Sequence, residues 1–281
     1  MGNSGIIGII LIIANIAFSY KGLTNASFFE AYKFEVDRIL VNKDYKRFIT
    51  SGFLHVSWIH LIFNMLSLYA FSGVIEGYLG EIKFLVIYFA SLLGGGLLSL
   101  IVHRNHPDYS AVGASGAICG IMFASVALFP GMNIGFFGLP VSIPAWLFSI
   151  LFIAFSIYGI KSGKDNIGHE AHLGGALVGM VVALLMQPSA FRENYLTILI
   201  IAVPTIVFIY LIVTAPYLLF IDNFYFKKHQ HYYSVDHKYN EEKNNAKKEI
   251  DKILDKISRS GIESLSSKEK AKLKEYSQKI R

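Results

Sequence analysis

The sequence predicts an all-α fold: a polytopic membrane helical bundle of six helices plus a seventh, followed by a small helical polar tail. Three observations carry this expectation. The 281 residues are 53% hydrophobic and only 16% charged, with a mean hydropathy of +0.46, whereas charged residues make up about a quarter of a typical soluble domain. The apolar residues gather in seven stretches that reach or approach membrane-crossing length. After Asp222 the composition turns abruptly polar. Residues 1–222 therefore read as one membrane-embedded domain and residues 223–281 as a polar C-terminal tail.

In order, the first stretch covers 5–20. It reads as a retained span rather than a signal peptide, since Met1 to Ser4 carry no Lys or Arg and no small-residue cleavage site follows. A mixed loop to Phe53, rich in aromatics and charges, is expected partly in the membrane interface. Further spans follow at 56–71, 84–102, 112–129, 144–160 and 168–186. The seventh stretch, 196–220, contains Pro204 and Pro216, which neighbouring helices can accommodate within a bilayer. Beyond a polar linker, Ile250, Ile253, Leu254 and Ile257 recur at i, i+3, i+4 and i+7, the stripe of an amphipathic helix. Gly261 ends it, and Ser266 with Glu269 has the spacing of a capping box opening a second short helix. Such a pair is too small to hold a core alone, so it is expected to dock on itself, on another copy or on the membrane surface, or to remain a solvated tether.

Charge excludes some classes. The formal net charge is +6, but from Asp222 onward 15 Lys/Arg face 10 Asp/Glu, so +5 belongs to the tail. No Arg-rich patch with interleaved aromatics suggests a nucleic-acid partner. The single cysteine, Cys119, lies in an apolar run, which excludes both a disulfide framework and a thiolate metal cluster.

The chemistry-bearing residues sit inside the spans. Ser115 lies in Gly113-Ala114-Ser115-Gly116, expected a few residues and about 6 Å into its helix. His172 lies in Ala171-His172-Leu173-Gly174-Gly175, and an ionisable side chain at membrane depth is a functional hypothesis that must name its partner. Gly116 and Gly120 on one segment, and Gly175 and Gly179 on the other, give smooth faces that can pack closely and bring a short serine to an imidazole. That contact is the minimum for a nucleophile and base in acyl transfer. Glycine-faced packing with an incidental Ser and His is the competing interpretation, and on spacing alone the commoner one. His60 and Asn64, at i and i+4 on one helix face, shift the balance. Together they can donate hydrogen bonds to an oxyanion. Gly168-His169-Glu170-Ala171-His172 imitates a zinc-peptidase motif, but its two histidines are three apart where that motif needs four. We assign no metal site, with a His55–His60 metal site as the minor alternative.

Together these residues resemble the rhomboid family of intramembrane serine proteases. The likeness covers about 46–187 and rests on Gly113-Ala114-Ser115-Gly116, His60-x-x-x-Asn64, Ala171-His172-x-x-Gly175-x-x-x-Gly179, Arg47 in the first loop, and Glu76 with Gly80. The resemblance implies Ser115 as nucleophile and His172 as base, a dyad without a carboxylate. His60, Asn64 and the Ser115 amide would form the oxyanion hole, and Gly113 would shape its loop. It also implies a bacterial cell (inner) membrane protein with no cofactor, whose partners are the lipid bilayer and single-span membrane-protein substrates. By family orientation the active site faces the outer side, whereas the Lys/Arg distribution argues for the opposite sidedness. Two residues depart from the family pattern: Lys46 replaces the tryptophan before Arg47, and Cys119 stands where an aromatic commonly stacks on the catalytic imidazole. A catalytically silent scaffold binding membrane-protein clients is the alternative.

Overall fold

The computed structural model describes residues 5–135, 142–162 and 167–215, together with 250, 253, 256, 257, 264–266, 269 and 273 of the tail. The chain divides into two compact units, Met1–Phe226 and Lys227–Arg281.

The first unit is a helical bundle. Among the described residues, six helices are long and apolar enough to cross a membrane: α1 (Ile6–Thr24), α5 (Trp58–Leu79), α6 (Glu81–His103), α8 (Ala145–Ser162), α9 (His169–Met186) and α10 (Ser189–Thr214). This is an integral membrane protein. A seventh apolar helix, α7 (Ser115–Leu128), is shorter at 14 residues. The first loop folds into short helices α2 (Ala26–Tyr32), α3 (Val36–Leu40) and α4 (Arg47–Thr50), with a 3-10 turn at Ser51–Phe53.

Helix ends explain where the spans stop. Ser57 caps α5, its hydroxyl accepting from the His60 amide at 3.2 Å. Gly80, at φ 87°, ends it. The second span therefore runs beyond the expected Phe71, because Glu76 is not a boundary residue. Its carboxylate reaches the start of α1 and accepts from the amides of Ile7 and Gly8, each at 2.9 Å. Two of the amides that any helix start leaves unpaired are thereby satisfied, by an anion at the positive end of the helix. The last helix begins at Ser189, earlier than expected, and is bent at Asn194. The Asn194 amide donates to the carbonyls of Ala127 (2.9 Å) and Leu128 (3.2 Å), closing the open end of α7. The expected continuation through Pro216 to Phe220 lies outside the described residues.

Among the described residues, two antiparallel pairs of short strands interrupt the helical pattern. β1 (Phe34–Glu35) pairs with β2 (Ser110–Ala111), and β3 (Asn133–Gly135) with β4 (Ser142–Pro144). They are too short to carry a periodic signal, but the first ties the loop after α2 to the segment leading into α7.

α7 is the hub. All of its residues from Gly116 to Leu128 are buried, and it lies against α6 and α9 through glycine. A Cβ on Gly175 would overlap the Gly116 carbonyl oxygen, and one on Gly120 would overlap the Ser91 side chain of α6. Close approach of this kind is how helices gain packing in a lipid solvent that offers no hydrophobic drive.

Within the second unit, Ile250, Ile253 and Leu265 are buried together against Ile257 and Leu273. The capping box is formed in both directions: the Ser266 amide donates to Glu269 at 2.7 Å, and the Glu269 amide donates to the Ser266 hydroxyl at 3.3 Å. The Ser266 amide and Lys256 together hold the Glu269 carboxyl down at about 2. Leu254, Gly261 and the linker lie outside the described residues.

Candidate active site

Ser115 is the first residue of α7, not a residue some 6 Å inside it. The helix cannot start earlier, because Gly113 has φ 134°, which no helix contains. The Gly113 amide is also committed elsewhere, donating to the Ser51 carbonyl at 3.0 Å. The strand pair between β1 and β2 fixes the same turn two residues upstream. Placed at the helix start, Ser115 keeps its own amide among those without an intrahelical acceptor.

His172 stands on the first turn of α9, and its Nε2 lies 2.7 Å from Ser115 Oγ. That is the usual length for a hydroxyl hydrogen bond. With Nε2 unprotonated, the serine hydroxyl donates and the imidazole nitrogen accepts, the arrangement needed for a base to take the hydroxyl proton. Both residues are partly buried.

His60 and Asn64 come from α5. A Cβ placed on Gly113 would be 3.1 Å from His60 Nε2 and 3.7 Å from Ser115 Oγ, so the imidazole and the hydroxyl border the same small space. Asn64 is buried, and its amide donates to the His60 carbonyl at 2.9 Å. The structure thus brings Ser115, His172, His60 and Gly113 together, with Asn64 one turn below His60.

Sequence reasoning missed two supports, Phe152 and the Ser51 carbonyl. Phe152 of α8 sits beside His172, the two rings 6.0 Å apart at 38°. Phe123 of α7 in turn braces Phe152 at 5.7 Å. An aromatic flank is therefore present from another helix, although Cys119 offers none. His55, buried at 0% exposure, packs edge-on against His60 with ring centroids 4.8 Å apart. Burial, with His60 beside it, pushes the His55 imidazole down to about 3, and its Nδ1 is 2.8 Å from the Ser19 hydroxyl. Ser51 acts through its backbone, which leaves no mark in the sequence.

The first loop is anchored by Arg47. Its guanidinium donates to the carbonyls of Lys33 (2.6 Å) and Glu30 (3.1 Å) and to the Asp44 carboxylate (2.9 Å). Lys46, in the tryptophan's place, instead lies over the Tyr32 ring at 5.7 Å and 3.5 Å from Asp44. Among the described residues, no group of three or more His, Cys, Asp or Glu side chains is arranged to hold a metal ion. His169, the other histidine of the zinc-like motif, packs against Gly159 and Phe155.

The fold and site define a polytopic membrane protein with a serine–histidine pair held between two buried, glycine-packed helices. Residues 42–189 match the family model described as Rhomboid domain, and the chain belongs to the rhomboid family. A second model, a family of unknown function (DUF6576), matches 233–279. Among curated relatives, RHOMBOID-like protein 12, mitochondrial, of Arabidopsis thaliana is 33% identical over 51% of this chain and 47% of its own length. Rhomboid protein 1, mitochondrial, of Saccharomyces cerevisiae is 29% identical over 64% of this chain and 56% of its own. Rhomboid protease GluP of Bacillus subtilis is 27% identical over 67% of this chain and 36% of its own. The chain thus spans about half, or less, of these relatives.

Proposed function

We propose that this protein is an intramembrane serine endopeptidase that cleaves transmembrane segments of other membrane proteins. One observation carries the reading: the 2.7 Å contact between Ser115 Oγ and His172 Nε2. Ser115 Oγ adds to the scissile carbonyl carbon while its proton passes to His172 Nε2. The carbonyl oxygen becomes an oxyanion, for which His60, Asn64 and the Ser115 amide are the proposed donors. The tetrahedral species collapses, the C–N bond breaks, and His172 returns the proton to the leaving amine. Water then hydrolyses the acyl-enzyme by the same steps in reverse order. Phe152 flanks the imidazole, and the Ser51–Gly113 bond fixes the turn that borders His60.

The substrates on this reading are single-span membrane proteins. Residues 1–222 are the catalytic membrane domain and 223–281 a separate tail. Its proposed location is a bacterial cell membrane; the Bacillus subtilis relative is from a bacterium, whereas the relatives from Arabidopsis thaliana and Saccharomyces cerevisiae are named as mitochondrial.

The test is cleavage of a single-span reporter by the purified protein in detergent, with fluorophosphonate labelling alongside. Wild type is expected to cut and label, Ser115→Ala to do neither, and His172→Ala not to cut. EDTA should change nothing. Cleavage that survives Ser115→Ala, or a wild type that neither labels nor cuts any reporter of a broad panel, overturns the reading in favour of a client-binding scaffold or a different chemistry.

A further inference from the structure

α1 carries none of the four side chains placed at the site, yet it is bonded to the segment that leads into His60. Ser19, on α1, is fully buried. Its hydroxyl oxygen lies 2.9 Å from the Phe53 carbonyl oxygen and 2.8 Å from His55 Nδ1. Three residues further along, a Cβ on Gly22 would stand 2.7 Å from the Leu54 side chain, so the helix is seated closely on residues 53–55.

The two contacts of Ser19 fix a tautomer. A hydroxyl has one proton to give, and a carbonyl can only accept. Ser19 therefore donates to Phe53, and His55 Nδ1 donates to Ser19. Were Nδ1 bare, two acceptors would compete for one proton across contacts of ordinary hydrogen-bond length. Burial, with His60 beside it, keeps the His55 ring neutral, so its second nitrogen, Nε2, carries no proton. Among the described residues nothing donates to that buried nitrogen.

The His60 ring lies edge-on to that of His55, with centroids 4.8 Å apart at 67°. His60 Nδ1 is buried and, among the described residues, has no hydrogen-bond partner. Its Nε2 borders the small space shared with Gly113 and Ser115 Oγ. A buried N–H without an acceptor costs its full desolvation, so the proton of a neutral His60 belongs on Nε2. That is the tautomer an oxyanion donor needs. With no hydrogen bond at Nδ1, packing sets the angle of the ring, and the ring packed against it is itself bonded to Ser19.

We propose that Ser19 and His55 are positioning residues for the oxyanion donor. The Ser19 hydroxyl pins the His55 ring through Nδ1, and the pinned ring holds the His60 imidazole with its N–H toward Ser115. The proposal rests on the protease reading for what His60 does, but not for how His60 is held.

Ser19→Ala removes the acceptor for the His55 N–H without adding bulk. In reporter cleavage kcat should fall by roughly ten- to a hundredfold, the scale of a misplaced group, with KM unchanged. The loss should vanish in a His60→Ala background, because residues that act through one donor are not additive. Histidine-labelled NMR of the full chain in detergent reads the same hold without turnover, with His60→Gln assigning the signal. Wild-type His60 should show the Nε2–H tautomer alone, and Ser19→Ala a mixture of both. Ser149→Ala removes an equally buried hydroxyl, bonded to the Ala145 carbonyl at 3.0 Å, and should leave both readouts at wild-type values.

An unchanged His60 tautomer in Ser19→Ala, a loss of kcat that persists in full in the His60→Ala background, or the same changes in Ser149→Ala overturns the proposal and leaves Ser19 a packing residue. If the tautomer shifts in Ser19→Ala while wild type cuts nothing, the hold on His60 stands and the protease reading falls.

Discussion

Gly113 and His60 are in direct register across the site. A Cβ on Gly113 would stand 2.9 Å from His60 Cε1 and 3.1 Å from Nε2, and the backbone there has φ 134°. Gly113→Ala is therefore strained twice, in its own dihedral and against the imidazole. Losing one oxyanion donor elsewhere costs about 10²–10³ in kcat, and a loss in that range is expected here. Reporter kinetics would measure it, with an unchanged helical circular dichroism spectrum showing that the bundle persists.

The α7–α9 seam predicts a contrast between glycines. A methyl on Gly175 has nowhere to go except into the Gly116 carbonyl, while one on Gly131 meets nothing within 4 Å. Gly175→Ala should lower stability by about 1–3 kcal/mol, the usual range for overpacking, and separate Ser115 from His172. Gly131→Ala should leave melting temperature and activity as they are. Equal effects from the two would rule out the seam as the controlling contact.

His55 predicts an acid limit to stability. Its folded-state value is depressed from 6.5 to about 3, so the fold holds it neutral. The unfolded chain takes up the proton first, and stability rises with pH across this window. Its contribution is complete above pH 6.5 and is lost as pH falls toward 3. Denaturation midpoints in detergent should decline over that interval, and less steeply in His55→Gln.

Glu76→Ala leaves the Ile7 and Gly8 amides without their carboxylate. A loss of about 1–2 kcal/mol is expected, as for a missing helix cap. The loss should come with faster hydrogen exchange confined to the first turn of α1. Protection at Ile7 and Gly8 unchanged from wild type would contradict this role for Glu76.

The features that could be read from the residues were those with a period or a pairing. Seven apolar stretches became seven helices because backbone groups in lipid must be satisfied within the segment. The i, i+4 spacing of His60 and Asn64, and the glycine intervals on the two packed segments, pointed to the faces that meet. The start of α7 was misplaced because Val112 and Ala114 are as apolar as a helix. What breaks the helix is the positive φ at Gly113 and a bond to the Ser51 carbonyl 62 positions earlier in the chain. Glu76 looked like a boundary because its acceptors' partners lie 68 and 69 residues away. Phe152 was one phenylalanine in a helix full of them, and only the tertiary packing singles it out.

The burial of α7 bears on how the protein is made. A 14-residue helix spans about 21 Å, short of the roughly 30 Å hydrocarbon layer, and its covering partner α9 begins 41 residues after α7 ends. During synthesis the side of α7 that faces α9 stays uncovered until that later helix has been inserted. The nascent chain therefore carries Ser115 into the membrane well before His172 is there to meet it, and the pair comes into being only when the bundle closes.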